Sequence, residues 1–333
     1  MITKDKVRGA FLGIAIGDAL GKPVETLKYE TILERHGEVN SYLSCSGHKW
    51  FNNHLQGTWT DDTQLSLAIA RALVSHGFDL DEIAKQHVHE FVTDIKGWGG
   101  STRDAISKIA HGTHWSKASI TDNPKYGFGN GVAMKIAPVA IYMALTNPSC
   151  EQEKWKADLQ KIVQVAIMTH RTSMAITSGF AHTFAVFKCL TATPESLDRG
   201  SLIRSICGAG MMGRQQLPET LTQDDIQNRF DMLHNYENVG TEEIIRDFGA
   251  GSCYVYDSLP FTYMFFLRNP YTIQSLYDCV TAGGDADSTG SMLACMLGAL
   301  HGTSIFPAHL VDGLDQKDMI LEIADQLYEK FAP

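Results

Sequence analysis

The chain contains no CxxC pair. Its seven cysteines (Cys45, Cys150, Cys189, Cys207, Cys253, Cys279 and Cys295) stand apart and are odd in number, which argues against a disulfide framework and a structural zinc site and favours a reducing, cytoplasmic compartment. No run of apolar residues approaches the ~18–20 needed to cross a bilayer, so no membrane partner is expected. The opening MITKDKVRGAFLGIAIGDALG sets Lys4, Lys6 and Arg8 before a short apolar stretch, Ala10 to Ile16. That stretch ends at Gly17-Asp18 with no cleavage site, and a secretory signal is not expected. Basic runs and aromatic-basic interleaving are missing too, and 38 Asp+Glu outweigh 28 Lys+Arg for a formal charge of -10. Nucleic acid is therefore not an expected partner. An anionic small molecule can still bind where a metal or a helix N-terminus supplies local positive potential.

Period-2 strands and βαβ alternation are also absent, which leaves an all-α single domain over residues 1–333 as the expected fold. With 44% hydrophobic residues among 333, the chain can bury a large core. Leu65, Ala68, Ile69, Ala72 and Leu73 recur at helical spacing, as do Ile162, Val165, Ala166 and Thr169. Phe180 to Leu190, Ile273 to Val280 and Ser291 to Leu300 read as further helices. Thr26 to Gln56 reads as a long polar insertion, and His111 to Gly131 as a second loop. Long loops in a compact domain are more often functional than idle. Pro194 to Gly251 is polar, with a helical fragment at Asp224 to Leu233, and is taken as part of the same domain. Nothing in the sequence assigns an oligomeric state.

Two acidic clusters stand before apolar helices: TWTDDTQLS, residues 58–66, and TAGGDADSTG, residues 281–290. Each is explicable as a helix cap. They carry more than a cap requires, however: Asp61 beside Asp62, Asp285 near Asp287, and hydroxyls at Thr60, Thr63, Ser288 and Thr289. If the fold joins the two helix starts, four carboxylates converge, and like charges at close range disfavour ionisation unless cations intervene. The ligands are hard oxygens, which suits Mg²⁺ or Mn²⁺ rather than zinc or copper. Two divalent ions balance the four negative charges.

The sequence resembles the ADP-ribosylglycohydrolase family in an ordered set of motifs: GAFLGIAIGDALGKPVE from Gly9, TDDT at Thr60, GWGGSTRDAI from Gly97, GNGVAMKIAPVA from Gly129, THRTSMAI from Thr169 and GGDADST from Gly283. The resemblance implies an all-α fold with a binuclear Mg²⁺ or Mn²⁺ centre held by Thr60, Asp61, Asp62, Asp285, Asp287 and Ser288, where Ser288 replaces the usual threonine. It implies hydrolysis of the bond between ADP-ribose and a protein side chain, often arginine, with an ADP-ribosylated protein as partner. Glu25 matches a glutamate on a mobile loop; it or Asp285 is expected to position water or exchange the proton. Gly99 and Gly100 are expected at the pyrophosphate, Phe128, Gly129 and Asn130 at the adenosine and ribose end, and His170, read as standing at a helix start, at the distal ribose or phosphate.

Other readings stay open: serine-linked or free ADP-ribose derivatives as substrate, a catalytically silent binding protein on the same scaffold, and a two-metal phosphohydrolase. The near-ligand pairs His87 with His89 and His111 with His114 lack a Cys or HExxH partner and are expected at the surface. Trp98 and Met134 are expected in the core.

Overall fold

Gly9, Gly13, Gly17 and Gly21 recur every four residues and so form one stripe of the helix Lys4–Gly21. Facing them, antiparallel, are Gly302, Gly298, Ala294, Gly290 and Ala286 at the end and along the length of the helix Ala286–His301. The two backbones touch along this seam. A Cβ added at Gly13 would lie 2.1 Å from the Ala294 carbonyl oxygen, and one at Gly298 would lie 1.9 Å from that of Gly9. Every residue of the first helix from Gly9 onward is buried, as expected of a helix apolar on all sides. The stretch that imitates a signal segment is therefore a core helix.

The computed structural model describes residues 2–332. Among the described residues the chain forms seventeen α-helices and seven short 3₁₀ helices, and only two isolated β-bridges occur, Lys28 with Gly283 and Gly129 with Tyr254. Around the central pair pack the helices Asp61–His76, Ser173–Thr191, Val255–Arg268 and Lys317–Phe331, enclosing one continuous apolar core. The all-α expectation holds. Because the central helices are antiparallel, the C-terminal end of the first lies against the N-terminal end of the second, which brings residues near 18 to those near 287.

Several details differ from the sequence reading. The Thr26 to Gln56 insertion contains the helix Tyr29–His36, and the His111 to Gly131 loop contains the short helix Trp115–Ala118. The polar stretch 194–251 is more regular than expected, with helices Arg199–Arg214, Ile226–Asp231 and Thr241–Asp247. His89, His111 and His114 are exposed, but His87 is buried within the helix Leu80–Thr93. Its Nδ1–H donates to the Ile83 carbonyl at 2.8 Å. Burial, with the nearby Lys135 charge, pushes its pKa down to about 3, so it is a neutral core residue.

Candidate metal centre and substrate cavity

The helix Asp61–His76 begins at Thr60, yet neither Thr60 nor Asp61 nor Asp62 closes the cap with its own side chain. Asp18 from the first helix does so instead. Its Oδ1 accepts from the Thr60 N–H and hydroxyl, both at 2.8 Å, and its Oδ2 accepts from the Thr63 N–H at 3.0 Å and hydroxyl at 2.6 Å. The orphan donors of the helix start are thus satisfied from another element, and Asp61 and Asp62 are released from capping. Lys22, buried at the end of the first helix, donates to Thr58 and ties the same segment down.

The second acidic start follows the same logic. Asp285 begins the helix Ala286–His301 without a side-chain cap. Its N–H donates to the Gly251 carbonyl at 2.8 Å, and its Oδ2 accepts from Asn130 Nδ2 at 2.5 Å. Asp287 Oδ1 accepts from the Ser288 N–H at 2.9 Å. The two starts do meet. Oxygens of Asp18, Asp62 and Asp287 lie within 4.8 Å of one another, and so do oxygens of Glu25, Asp285 and Asp287. Asp287 belongs to both trios. Asp61 is in neither; it lines the cavity beside them, and Thr60 Oγ1 is 3.4 Å from Asp62 Oδ2.

The electrostatics disfavour full ionisation of these carboxyls in the absence of a neighbouring positive charge. Burial, then neighbouring carboxylates, pushes Asp62 and Asp287 well above the usual carboxylate range. Asp61 rises to about 7, through burial first and then the Asp18 charge, and Glu25 to about 8, through burial and then Asp285. Asp62 Oδ1 and Glu25 Oε2 are buried without a hydrogen-bond partner among the described residues. Orphaned, hard, mutually repelling oxygens are what a divalent cation neutralises, so the donor set fits Mg²⁺ or Mn²⁺.

Glu25 is not a solvated loop residue. It lies half-buried in a turn that Thr26 clamps to the second acidic loop: the Thr26 N–H donates to the Gly284 carbonyl at 2.6 Å, and the Gly284 N–H to the Leu27 carbonyl at 3.1 Å. Thr26 adopts φ +67° to make this contact, a conformation costly outside glycine.

Above the carboxylates opens a cavity of about 740 Å³, within the size range of small-molecule sites. Gly99 precedes and Gly100 begins the helix Gly100–Ala110, which has no side-chain cap, and both residues line the cavity, so a helix N-terminus, the kind of element that suits an anion, opens on it. The Phe128 to Asn130 loop is pinned from the far side: the Asn130 N–H donates to the Cys253 carbonyl, and the Val255 N–H to that of Phe128, both at 3.0 Å. Phe128 meets Tyr254 edge-on at 6.4 Å. Trp98 and Met134 are buried as expected, yet both also touch the cavity. His170 lines it as well, but it follows the end of the helix Gln152–Thr169 rather than starting one. Burial pushes its pKa down to about 3.

The sequence reading missed Asp18. Its signal was an ionisable residue on an otherwise apolar, glycine-striped helix. It also missed Trp50 and Phe51 at the cavity mouth, which carry no motif.

The description of the ADP-ribosylglycohydrolase family fits residues 1–333 of the chain. The chain is 27% identical over 316 residues to the ADP-ribosyl-[dinitrogen reductase] glycohydrolase of Rhodospirillum rubrum, covering 94% of this chain and 91% of that protein. It is 23% identical to the ADP-ribosylarginine hydrolase Tri1 of Pseudomonas putida, covering 98% and 78%. A solved ADP-ribosylglycohydrolase-related protein complex superposes with a TM-score of 0.67 at 21% identity, covering 98% of both chains, a likeness of fold.

Proposed function

The chain belongs to the ADP-ribosylglycohydrolase family, and from that membership we propose that it is a metal-dependent hydrolase releasing ADP-ribose from modified protein side chains, with N-linked arginine as its preferred linkage. The observation that carries this reading is the meeting of two acidic helix starts at the floor of a cavity that the N-terminus of the helix Gly100–Ala110 also lines.

In this reading Thr60, Asp61, Asp62, Asp285, Asp287 and Ser288 hold two divalent cations, with Asp18 bracing Thr60. When bound, the cations supply positive charge that fixes the ribose hydroxyls and favours ionisation of water. The protein groups do the rest. Gly99 and Gly100 amides hold the pyrophosphate, and Phe128 offers a stacking face to the adenine. Asn130 orients Asp285 through their 2.5 Å hydrogen bond. Glu25 or Asp285 takes the proton from the attacking water and returns it to the leaving nitrogen as positive charge develops on the anomeric carbon.

Two features support arginine over serine. The Pseudomonas relative is named an ADP-ribosylarginine hydrolase. The exposed Trp50 also lines the cavity with the acidic floor, and an aromatic face near carboxylates suits a planar cation.

The test is incubation with arginine-linked and serine-linked ADP-ribosylated proteins, each with Mg²⁺ or Mn²⁺ and each with chelator. Faster release from arginine is expected. Release from serine alone would reassign the linkage, and pyrophosphate cleavage would remove the glycohydrolase reading.

A further inference from the structure

Behind the cavity wall, Lys135 is fully buried on the 3₁₀ turn Ala133–Lys135. Its Nζ lies 2.9 Å from Thr169 Oγ1, and that oxygen lies 2.9 Å from His170 Nδ1. These are the only hydrogen bonds of the Thr169 hydroxyl among the described residues. Burial pushes Lys135 down to about 7, so at mildly acidic pH it is an ammonium, which donates and offers no lone pair; there Thr169 accepts from Lys135 and directs its own proton at His170 Nδ1. Burial beside a cation keeps the imidazole neutral. A neutral ring that accepts at Nδ1 carries its proton on Nε2.

The ring's position is fixed by glycine. A Cβ at Gly131 would lie 2.7 Å from His170 Cε1 and 3.0 Å from Nε2, and one at Gly129 would lie 3.9 Å from Nε2. No protein acceptor takes the Nε2 proton among the described residues, and His170 lines the cavity.

We propose that Lys135 and Thr169 are positioning residues that fix the tautomer of His170, presenting an Nε2–H donor to a phosphate or ribose oxygen of the bound nucleotide sugar. The donor's target rests on the ADP-ribose reading above; the tautomer itself does not.

The experiment pairs ring ¹⁵N–¹H correlation spectra of the ligand-free protein at mildly acidic pH, with His170 assigned by its loss in His170→Asn, and titration calorimetry with ADP-ribose. The wild type should show Nε2 protonated and Nδ1 bare. In Lys135→Met and in the near-isosteric Thr169→Val the two nitrogen signals should move together as both tautomers become populated. ADP-ribose should bind about tenfold more weakly to each, as for loss of one oriented hydrogen bond. Lys135→Arg, again a donor without a lone pair, should restore the wild-type spectrum and affinity. Combining Lys135→Met with Thr169→Val should cost no more than either alone, since both break one chain. A protonated Nδ1 in the wild type, or losses that add in the double variant, would overturn the proposal. Should Lys135→Met fail to fold, Thr169→Val carries the same test. A wild type that shows the expected tautomer but binds no ADP-ribose removes the functional reading and leaves the relay standing.

Discussion

At the scale of the residue, the site depends on carboxylates that carry no cap of their own. Asp18 is central to this, because it satisfies four donors of Thr60 and Thr63. Asp18→Asn keeps the volume but replaces one accepting oxygen with a donor, so the side chain can no longer accept from both Thr60 and Thr63, and the helix start that carries Thr60 is left with an unmatched donor. We expect cation affinity to fall tenfold or more, in the range of about 10–100-fold seen when groups supporting metal ligands are changed, measured by calorimetry with Mn²⁺. Unchanged affinity would show that Asp18 is only a cap. Glu25→Gln removes the proton-handling group while leaving the turn at Thr26 intact. The expected result is a kcat drop on the order of 10²–10⁴ with ADP-ribose affinity retained within a few-fold; full turnover would pass the role to Asp285.

The helices explain how distant segments make one site. The glycine seam sets the approach of Lys4–Gly21 to Ala286–His301 and thereby of Asp18 to Asp287. Gly298→Ala forces a Cβ against the Gly9 backbone at 1.9 Å. It should destabilise by about 1–3 kcal/mol, as overpacking does. Gly208, inside Arg199–Arg214 with nothing within 4 Å of an added Cβ, is the control: Gly208→Ala should stabilise by about 0.5–1 kcal/mol. Denaturant midpoints with unchanged slopes would measure both, and equal effects would contradict the seam. The helices around Leu65 and Ile162 were legible in the sequence because apolar residues recur there at helical spacing. The first helix was not, since every residue from Gly9 on is buried and its four-residue period is one of glycines, which marks a close backbone approach rather than an apolar face. Nor was the burial of His87, whose ring is satisfied by a carbonyl of its own helix.

For the molecule as a whole, the acidic floor couples stability to cations and to pH. In the metal-free protein Glu25 titrates near 8 rather than 4.5, and Asp61 near 7 rather than 3.8. Between those values the folded state holds protons that the unfolded chain has released, so stability falls as pH rises through that window. These two carboxylates therefore lower the melting temperature of the chelated protein as pH rises to about 8. The buried His87, His170 and His182, held at about 3, and Lys135, held at about 7, act in the opposite sense. The Glu25 share is the pH slope that Glu25→Gln removes. Mg²⁺ or Mn²⁺ should reverse the loss, by about 2.7 kcal/mol at a hundredfold excess over the Kd. A pH slope in chelator that Glu25→Gln leaves unchanged, or a melting temperature that ignores the cations, would contradict a cation-held floor. The ordered motifs made the residues of this floor legible. Their meeting was not, because residues 62 and 285 are joined only by the antiparallel packing of the central helices and by a cap given from a third segment.

The central claim is that this floor, loaded with divalent cations, breaks the bond between ADP-ribose and a protein side chain. The most direct measurement is mass spectrometry of the products when an arginine-ADP-ribosylated protein is treated with chelated enzyme, with enzyme restored by Mn²⁺, and with the Asp61→Ala, Asp62→Ala double variant. The predicted result is intact ADP-ribose and unmodified arginine from the restored enzyme alone; undiminished release by the chelated enzyme or by the double variant, or AMP among the products, would contradict it.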